Sequence, residues 1–210
     1  MSKLVLTADQ IFALAYKLDA KYLDYYYISL SNRDDRNNLW LIDVTNELVA
    51  EGKLEEDFSG NTTIGPELEE LIRPLYFGTK ESSLDIDIFG EDEDNRGYRF
   101  HFLDDRITMA KKVEGGFEIS DISSEDIRNI VSSILPSEYA AESEKAYIAY
   151  DESTVSRIFV VKNTEVNTKN TVATFVETDG VVYEEDTDST IYSMSGEDFG
   201  EKLYKILAEV

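Results

Sequence analysis

Residues 122–135, Ile-Ser-Ser-Glu-Asp-Ile-Arg-Asn-Ile-Val-Ser-Ser-Ile-Leu, recur at one fixed offset as residues 194–207, Met-Ser-Gly-Glu-Asp-Phe-Gly-Glu-Lys-Leu-Tyr-Lys-Ile-Leu. The identical pairs are Ser123/Ser195, Glu125/Glu197, Asp126/Asp198, Ile134/Ile206 and Leu135/Leu207. These positions start a helix and pack its apolar face, and each copy follows short β-type runs. Capped amphipathic helices also resemble each other by chance, but the shared order of strands favours a chain built twice.

Both copies carry the same signal for a helix start. Ser123 and Ser195 are suited to be N-caps, and an aspartate three residues later completes a capping-box pattern. One apolar stripe then halts at Pro136, and the other runs to the end of the chain. We therefore expect Ile130, Ile134, Leu203 and Leu207 to be buried against strands.

The composition is typical of a globular protein without redox or membrane chemistry. The 210 residues are 42% hydrophobic and 11% aromatic, enough to bury a sizeable core. The absence of cysteine excludes disulfides, thiolate catalysis and zinc–thiolate sites. No apolar run approaches the ~20 residues of a membrane span, and the first residues lack a signal-peptide pattern. We expect a cytoplasmic protein with no membrane insertion.

The net charge of −24 restricts the partners, because it repels nucleic-acid phosphates and anionic lipid surfaces. The acids concentrate in 85–94 and 177–188. They are typical of a solvated surface, of a surface that steers a basic partner, or of DNA mimicry against a nuclease.

The sequence of the first third of the chain predicts helices. A capping box at Thr7–Gln10 precedes a helical face formed by Ile11, Leu14, Ala15, Leu18 and Tyr22. Residues 25–28 are interpreted as a short extended run or a buried turn, and their aromatic triplet as core or, alternatively, as a surface that contacts a partner. A second helix presents Leu39, Ile42 and Leu48, starts at Asp34 or Asp35 and ends at Gly52. A third opens at Gly65-Pro66, and Pro74 is expected to kink or end it.

From Leu84 the apolar period changes to two, which predicts strands with one apolar and one polar face. The predicted strands of the first half are 84–88, 98–102, 107–109 and 117–119, with turns at 104–105 and 115–116. Those of the second half are 157–161, 171–176, 181–183 and 190–194, with a turn at 179–180. The segment between the halves, 137–150, is predicted to be helical.

The fold class is therefore α+β, with two pseudo-symmetric halves of antiparallel β-sheet and flanking helices. The predicted halves are residues 1–136 and 137–210, which together form one compact domain.

Signals for chemistry are nearly absent. His101 is the only histidine, and it lies mid-strand with no nucleophile elbow in the chain. Residues 92–97 faintly resemble a calcium loop, but Arg96 and Leu103 occupy ligand positions, so we interpret them as a hairpin tip. We predict no enzyme activity, no cofactor and no metal.

The order of several segments resembles one family. It comprises the opening Leu-Thr-Ala-Asp-Gln of 6–10, the segment 48–54, the proline-ended helix 66–75 and the run 98–134. Together these resemble the EspG-type chaperones of type VII (ESX) secretion, and the two-half plan is similar to that of the family. The acidity and the low proline and glycine content suggest a Firmicutes-type branch serving toxin substrates.

The resemblance implies a non-enzymatic cytosolic protein that binds a secreted substrate, usually a helical hairpin with an exposed apolar tip, and keeps it soluble for export. We expect a monomer or weak dimer. The alternative is an acidic immunity protein that neutralises a toxin, such as a nuclease, by covering a basic site. The predicted partner contacts are Glu91, Asp92, Glu93, Asp94, Asn95, Arg99 and His101, with Phe175 and Tyr183 in the second half.

Overall fold

The computed structural model describes residues 4–30, 38–89, 94–135, 152–165, 170–185 and 191–208. The helices in these ranges are α1 (Ala8–Lys17), α2 (Tyr25–Leu30), α3 (Asn38–Ala50), α4 (Pro66–Phe77), α5 (Ser124–Ile134) and α6 (Gly196–Ala208). The strands are β1 (Leu4–Leu6), β2 (Leu54–Glu56), β3 (Thr62–Ile64), β4 (Lys80–Ile88), β5 (Asp94–Leu103), β6 (Arg106–Val113), β7 (Gly116–Ile122), β8 (Val155–Glu165), β9 (Thr171–Thr178), β10 (Val181–Glu185) and β11 (Ile191–Met194). None of the helices in these ranges has the length and apolarity of a membrane span.

Nine of the described strands form one sheet in the order β1-β7-β6-β5-β4-β8-β9-β10-β11, and β2 pairs only with β3. The strands β4 and β8 are neighbours at the centre of this order. Strands β5, β6 and β7 follow β4 towards one edge, where β1 is added, and strands β9, β10 and β11 follow β8 towards the other edge. Each set of four strands is followed by one helix, α5 or α6. The predicted α+β class and antiparallel sheet are confirmed, and superposition of the two halves stays a prediction.

The chain divides by packing into two compact units. The first comprises the described residues of 1–78 and 101–121, and the second comprises those of 79–100 and 122–210. The predicted halves, 1–136 and 137–210, were defined by the sequence repeat and not by packing, so they stay a prediction.

The core of the first unit is formed by helices α1 to α4 with β1, β2, β6 and β7. The Thr7 side chain accepts a hydrogen bond from the Gln10 amide (3.1 Å), and the Gln10 side chain accepts one from the Thr7 amide (3.2 Å), so the predicted capping box is confirmed. The Tyr76 hydroxyl donates to the Ile11 carbonyl at 2.8 Å, and burial raises the pKa of Tyr76. This hydrogen bond joins α4 to α1.

Lysine 53 covers part of the outer edge of β1, the end strand of the sheet. Its Nζ donates to the Val5 carbonyl at 2.6 Å and to the Gln10 Oε1 at 3.1 Å. The same ammonium lies 2.6 Å from a Glu51 carboxylate oxygen, and its hydrogen bond is the main cause that lowers the pKa of Glu51.

The core of the second unit lies between the central strands and α6. Ile86 pairs with Phe159, Phe159 pairs with Phe175 on the other side, and all three are buried. The Phe199 ring of α6 packs on Phe159 and Phe175, with centroids 5.1 and 5.0 Å apart. Leu203 and Leu207 continue this buried stripe.

The two repeat helices pack against each other in the second unit. Arg128 of α5 lies over the Tyr204 ring of α6 at 3.9 Å from its centroid. Both predicted N-caps are observed, since the Asp126 amide donates to Ser123 Oγ (3.2 Å) and the Asp198 amide to Ser195 Oγ (3.1 Å). The repeat therefore marks two helices that share a start signal and a common contact.

Several details of the helical predictions were wrong. Trp40, Val44 and Leu48 form the buried row of α3, whereas Leu39 and Ile42 are exposed. The helix α1 ends before Tyr22, which is 82% exposed. Segment 25–27 is the start of helix α2, in which only Tyr27 of the triplet is buried.

The remaining predictions have mixed outcomes: Pro74 does not end its helix, and Ile130 is less buried than predicted. Gly52 has a φ of 70°, as a helix C′ residue requires. Proline 74 lies inside α4, which continues to Phe77. Ile134, Leu203 and Leu207 are buried as predicted, and Ile130 is half-buried. The predicted caps at Asp34 or Asp35 and the predicted helix 137–150 lie outside the described residues.

Candidate partner-binding surface

The acidic hairpin proposed as a contact lies mostly outside the part of the chain that the structure describes. Glu91, Asp92 and Glu93 are outside it, and Asp94 and Asn95 form the start of β5. Their contact with a partner stays a prediction.

Arginine 99 is buried, with 5% of its surface exposed. The prediction that it lies on a solvent-exposed polar face of its strand was therefore wrong. Its Nη1 and Nη2 donate to the two carboxylate oxygens of Asp85 at 2.9 and 3.0 Å. A guanidinium is tolerated inside a protein when it is paired in this bidentate way. In this conformation Arg99 joins β5 to β4 and is not accessible to a partner.

Histidine 101 is also buried, at 3% exposure, because helix α2 covers this side of β5. Its Nε2 lies 2.8 Å from the Tyr27 hydroxyl, and the two rings are 5.9 Å apart. Phe117 packs edge-on against Tyr27 at 5.0 Å. The polar face predicted for this strand is therefore an interior aromatic cluster.

The second-half contacts are interior as well. Phe175 is fully buried against Phe199, and Tyr183 is 8% exposed in β10. A partner reaches neither ring in this conformation, and a contact with them stays a prediction that requires local opening.

The perturbed titratable groups of the described residues are structural. Hydrogen bonds from the Ser123 side chain and amide lower the pKa of Asp126, and those from Asn61 and Ser59 lower the pKa of Asp57. The described ranges contain no group of three His, Cys, Asp or Glu side chains suited to hold a metal ion.

An open groove lies on the first unit between α3, the end of α1 and the β2–β3 hairpin. Its volume is about 550 Å³, and its lining residues are Tyr16, Lys17, Leu41, Ile42, Thr45, Asn46, Glu56, Gly60 and Thr62. Tyr16 is 70% exposed and Ile42 is 53% exposed. We call this feature the α3 groove.

The loop between β2 and β3 presents a phenylalanine beside the α3 groove. Phe58 is fully exposed and lies in sequence between the lining residues Glu56 and Gly60. Asp57 holds the loop, because its Oδ1 accepts from the amides of Ser59 (2.8 Å) and Asn61 (2.9 Å). An exposed aromatic side chain on an ordered loop is typical of an interface anchor.

The sequence contains a signal for this surface that our first interpretation missed. Residues 39–42, Leu-Trp-Leu-Ile, are apolar around more than one face of a helix. Trp40 and its i+4 and i+8 neighbours are buried in the core and Leu41 packs partly against it, whereas Leu39 and Ile42 remain on the surface. An apolar excess of this kind indicates a second contact surface.

No protein-family model matches the chain, and no curated protein matches it at the sequence level. Among solved structures, the chain is similar to the type VII secretion system chaperone EspG5 of Mycobacterium tuberculosis, in the structure of its complex with the PE25–PPE41 dimer. The TM-score is 0.63 at 10% identity, and the match covers 99% of this chain and 98% of that chain. The chain therefore has an EspG-like fold, as the sequence resemblance predicted.

Proposed function

We propose that this chain is a secretion chaperone that binds a protein destined for type VII export and keeps it soluble. The observation that carries this proposal is the fold likeness over 99% of this chain to EspG5, a chaperone whose structure contains the PE25–PPE41 dimer. Exposed apolar residues at the α3 groove supply a surface that a chaperone of this kind requires.

The finer features of the proposal come from the sequence. The client is a secreted helical hairpin with an apolar tip or a toxin, and the chaperone acts in the cytoplasm as a monomer or weak dimer. The acidity and the low proline and glycine content support placing it in a Firmicutes-type branch, as part of the proposal. No catalytic step is part of the proposed function.

A second candidate function rests on the net charge of −24. An immunity protein with this charge would neutralise a toxin by covering a basic active site. Its complex would depend on charge pairs at the surface, whereas a chaperone complex would depend on apolar burial.

Salt separates the two functions. We would co-express the chain with the secreted helical proteins encoded beside its gene and measure the affinity of the purified complex at two salt concentrations, about 0.05 M and about 0.5 M. At about 0.5 M salt, charges separated by more than a few ångström are screened from each other. A chaperone complex keeps its affinity within about threefold and associates more slowly, while an immunity complex loses about tenfold or more. Failure of every neighbouring secreted protein to form a soluble complex would contradict the chaperone function.

The acidic hairpin is a proposed contact in either function. Deleting Asp92 to Asp94 and measuring the affinity by calorimetry tests it, with circular dichroism as the check on folding. An unchanged affinity with an intact fold would remove the hairpin from the interface.

A further inference from the structure

We propose that the turn Asp179–Gly180 is a site of spontaneous isoaspartate formation, and that the product loosens strand β10 from β9. In this reaction the Gly180 amide nitrogen attacks the carboxyl carbon of the Asp179 side chain. A C–N bond forms, and the carboxyl hydroxyl leaves with the amide proton as one water. Water then opens the five-membered imide at its main-chain carbonyl, so the main chain continues through the Asp179 side chain. The inference is independent of the proposed function.

The sequence places this chemistry at one position. Asp179 is the only aspartate of the chain that precedes a glycine, and no asparagine precedes one. A side chain on the following residue crowds the approach of its own amide nitrogen to the carboxyl group, and glycine has none. The reaction needs no reagent other than water, which is present at any exposed turn.

The turn leaves room for the imide ring. Asp179 and Gly180 form the two-residue loop of the β9–β10 hairpin, because Thr178 pairs with Val181. Their φ angles are 51° and 74°, as the tight turn of such a hairpin requires. Asp179 is exposed, and a Cβ atom added to Gly180 would meet nothing within 4 Å. Solvent therefore reaches both reacting groups.

The Asp179 carboxylate also differs from other aspartates of the chain in that nothing holds it. Asp57 accepts hydrogen bonds from backbone amides, Asp85 is paired with Arg99, and Asp126 accepts from Ser123. In the part of the chain that the structure describes, neither the Asp179 carboxylate nor the Gly180 amide has a protein partner. No interaction has to be broken before the two groups meet.

The product changes the hairpin because isoaspartate adds one atom to the main chain of a loop that fixes the register of two strands. Val182 pairs with Glu177 and Tyr183 with Val176 in this register. Val182 is fully buried and Tyr183 is 8% exposed. We therefore expect the isomerised turn to weaken the β9–β10 pairing and to let water reach β10.

The first test measures where isoaspartate forms. The full chain is incubated at neutral pH for days and digested, and its peptides are sequenced by electron-transfer fragmentation, which distinguishes isoaspartate from aspartate. Asp104 is an internal control, because it is exposed and has the same φ of 51° but precedes Asp105. Isoaspartate is expected to accumulate at Asp179 about threefold or more faster than at Asp104.

Two variants test the chemistry of the turn. Gly180→Asn keeps a residue that tolerates a positive φ but adds a side chain, and it should slow isoaspartate formation at Asp179 about threefold or more. Asp179→Gly removes the carboxyl group and leaves a Gly-Gly loop that suits the hairpin, so no isoaspartate forms there. Circular dichroism of the fresh variants checks that both fold as the parent does.

Hydrogen–deuterium exchange tests the effect on the hairpin. In aged parent chain the peptide that contains 181–185 should exchange faster than in fresh chain, while the peptide that contains 106–113 of β6 is unchanged. Aged Asp179→Gly should exchange as the fresh variant does. Equal rates of isoaspartate formation at Asp179 and Asp104, or its absence at Asp179, would overturn the modification site. Unchanged exchange of 181–185 in isomerised chain would overturn the loosening of β10.

Discussion

The Arg99 guanidinium and the Asp85 carboxylate form a two-point ion pair inside the sheet, with Arg99 nearly buried and the Asp85 side chain 34% exposed. Removing one member of such a pair leaves the other charge poorly solvated. We expect Asp85→Asn to lower the free energy of unfolding by about 2 kcal/mol, less than for a fully buried pair because water reaches Asp85. Urea unfolding at neutral pH measures this change.

The matched control for that prediction is Asp87→Asn. Asp87 is two residues further along β4 and exposed. Its substitution should change the free energy of unfolding by less than about 0.5 kcal/mol. Equal effects of the two substitutions would show that the Arg99 pair does not stabilise the fold.

Leu207 tests the packing of the last helix. It is fully buried, and its carbonyl accepts a hydrogen bond from Ser82 Oγ at 2.6 Å. Leu207→Asp places an unpaired charge in the core and should cost about 3 to 5 kcal/mol by thermal or urea unfolding. Lys205→Gln, at an exposed position of the same helix, should cost less than about 0.5 kcal/mol. A melt of Leu207→Asp that coincides with the parent would contradict the observed burial.

The N-cap of α5 gives a pH-dependent stability. Hydrogen bonds from Ser123 lower the pKa of Asp126 below 3.8, so the carboxylate stabilises the folded chain above that pH. This contribution is lost as the pH falls through the folded-state pKa. Asp126→Asn should therefore lower the melting temperature at pH about 7, and its difference from the parent should shrink towards pH about 2.5.

Glu125→Gln is the control for the N-cap, because Glu125 is an exposed acid of the same helical turn. The capping box is formed by Ser123 and Asp126, so the effect of Glu125→Gln on the melting temperature at pH about 7 should be smaller than that of Asp126→Asn. A difference for Asp126→Asn that grows on acidification would have the wrong sign for this cap.

Gly116 permits the close approach of β7 to β1. A Cβ atom at this position would lie 2.4 Å from the Leu6 carbonyl oxygen and 3.2 Å from Thr7 Cα. Because both are backbone atoms, Gly116→Ala should displace β1 and cost about 2 to 3 kcal/mol in urea unfolding. Gly115→Asn is a milder change, since φ is 79° and a Cβ there meets nothing within 4 Å. If the alanine variant proved the more stable of the two, β1 would not pack as described.

Local patterns predicted the elements better than they predicted their surroundings. The caps at Thr7 and Ser123 and the strand around Phe100 depend on neighbours in sequence, and these were predicted correctly. Burial of Arg99 and His101 depends on Asp85 and Tyr27, which are distant in sequence, so a polar residue in an alternating strand was taken as exposed.

The candidate surface was missed for a related physical reason. An apolar residue in a helix was assigned to the core, although α3 has more apolar positions than one buried row accommodates. Only tertiary packing decides that Trp40 is inside and Ile42 outside. The β2–β3 hairpin, which supplies Phe58, is too short to give a periodic signal.

The contact of Lys53 with Val5 also bears on how the chain behaves at high concentration. An uncovered end strand is a template on which the strand of another copy can pair, and repetition of that pairing produces fibrous aggregates. Here the Val5 carbonyl already accepts a hydrogen bond from a lysine, and a second strand would have to displace that ammonium. Together with mutual repulsion between copies of charge −24, this contact opposes templated growth at the β1 end of the sheet.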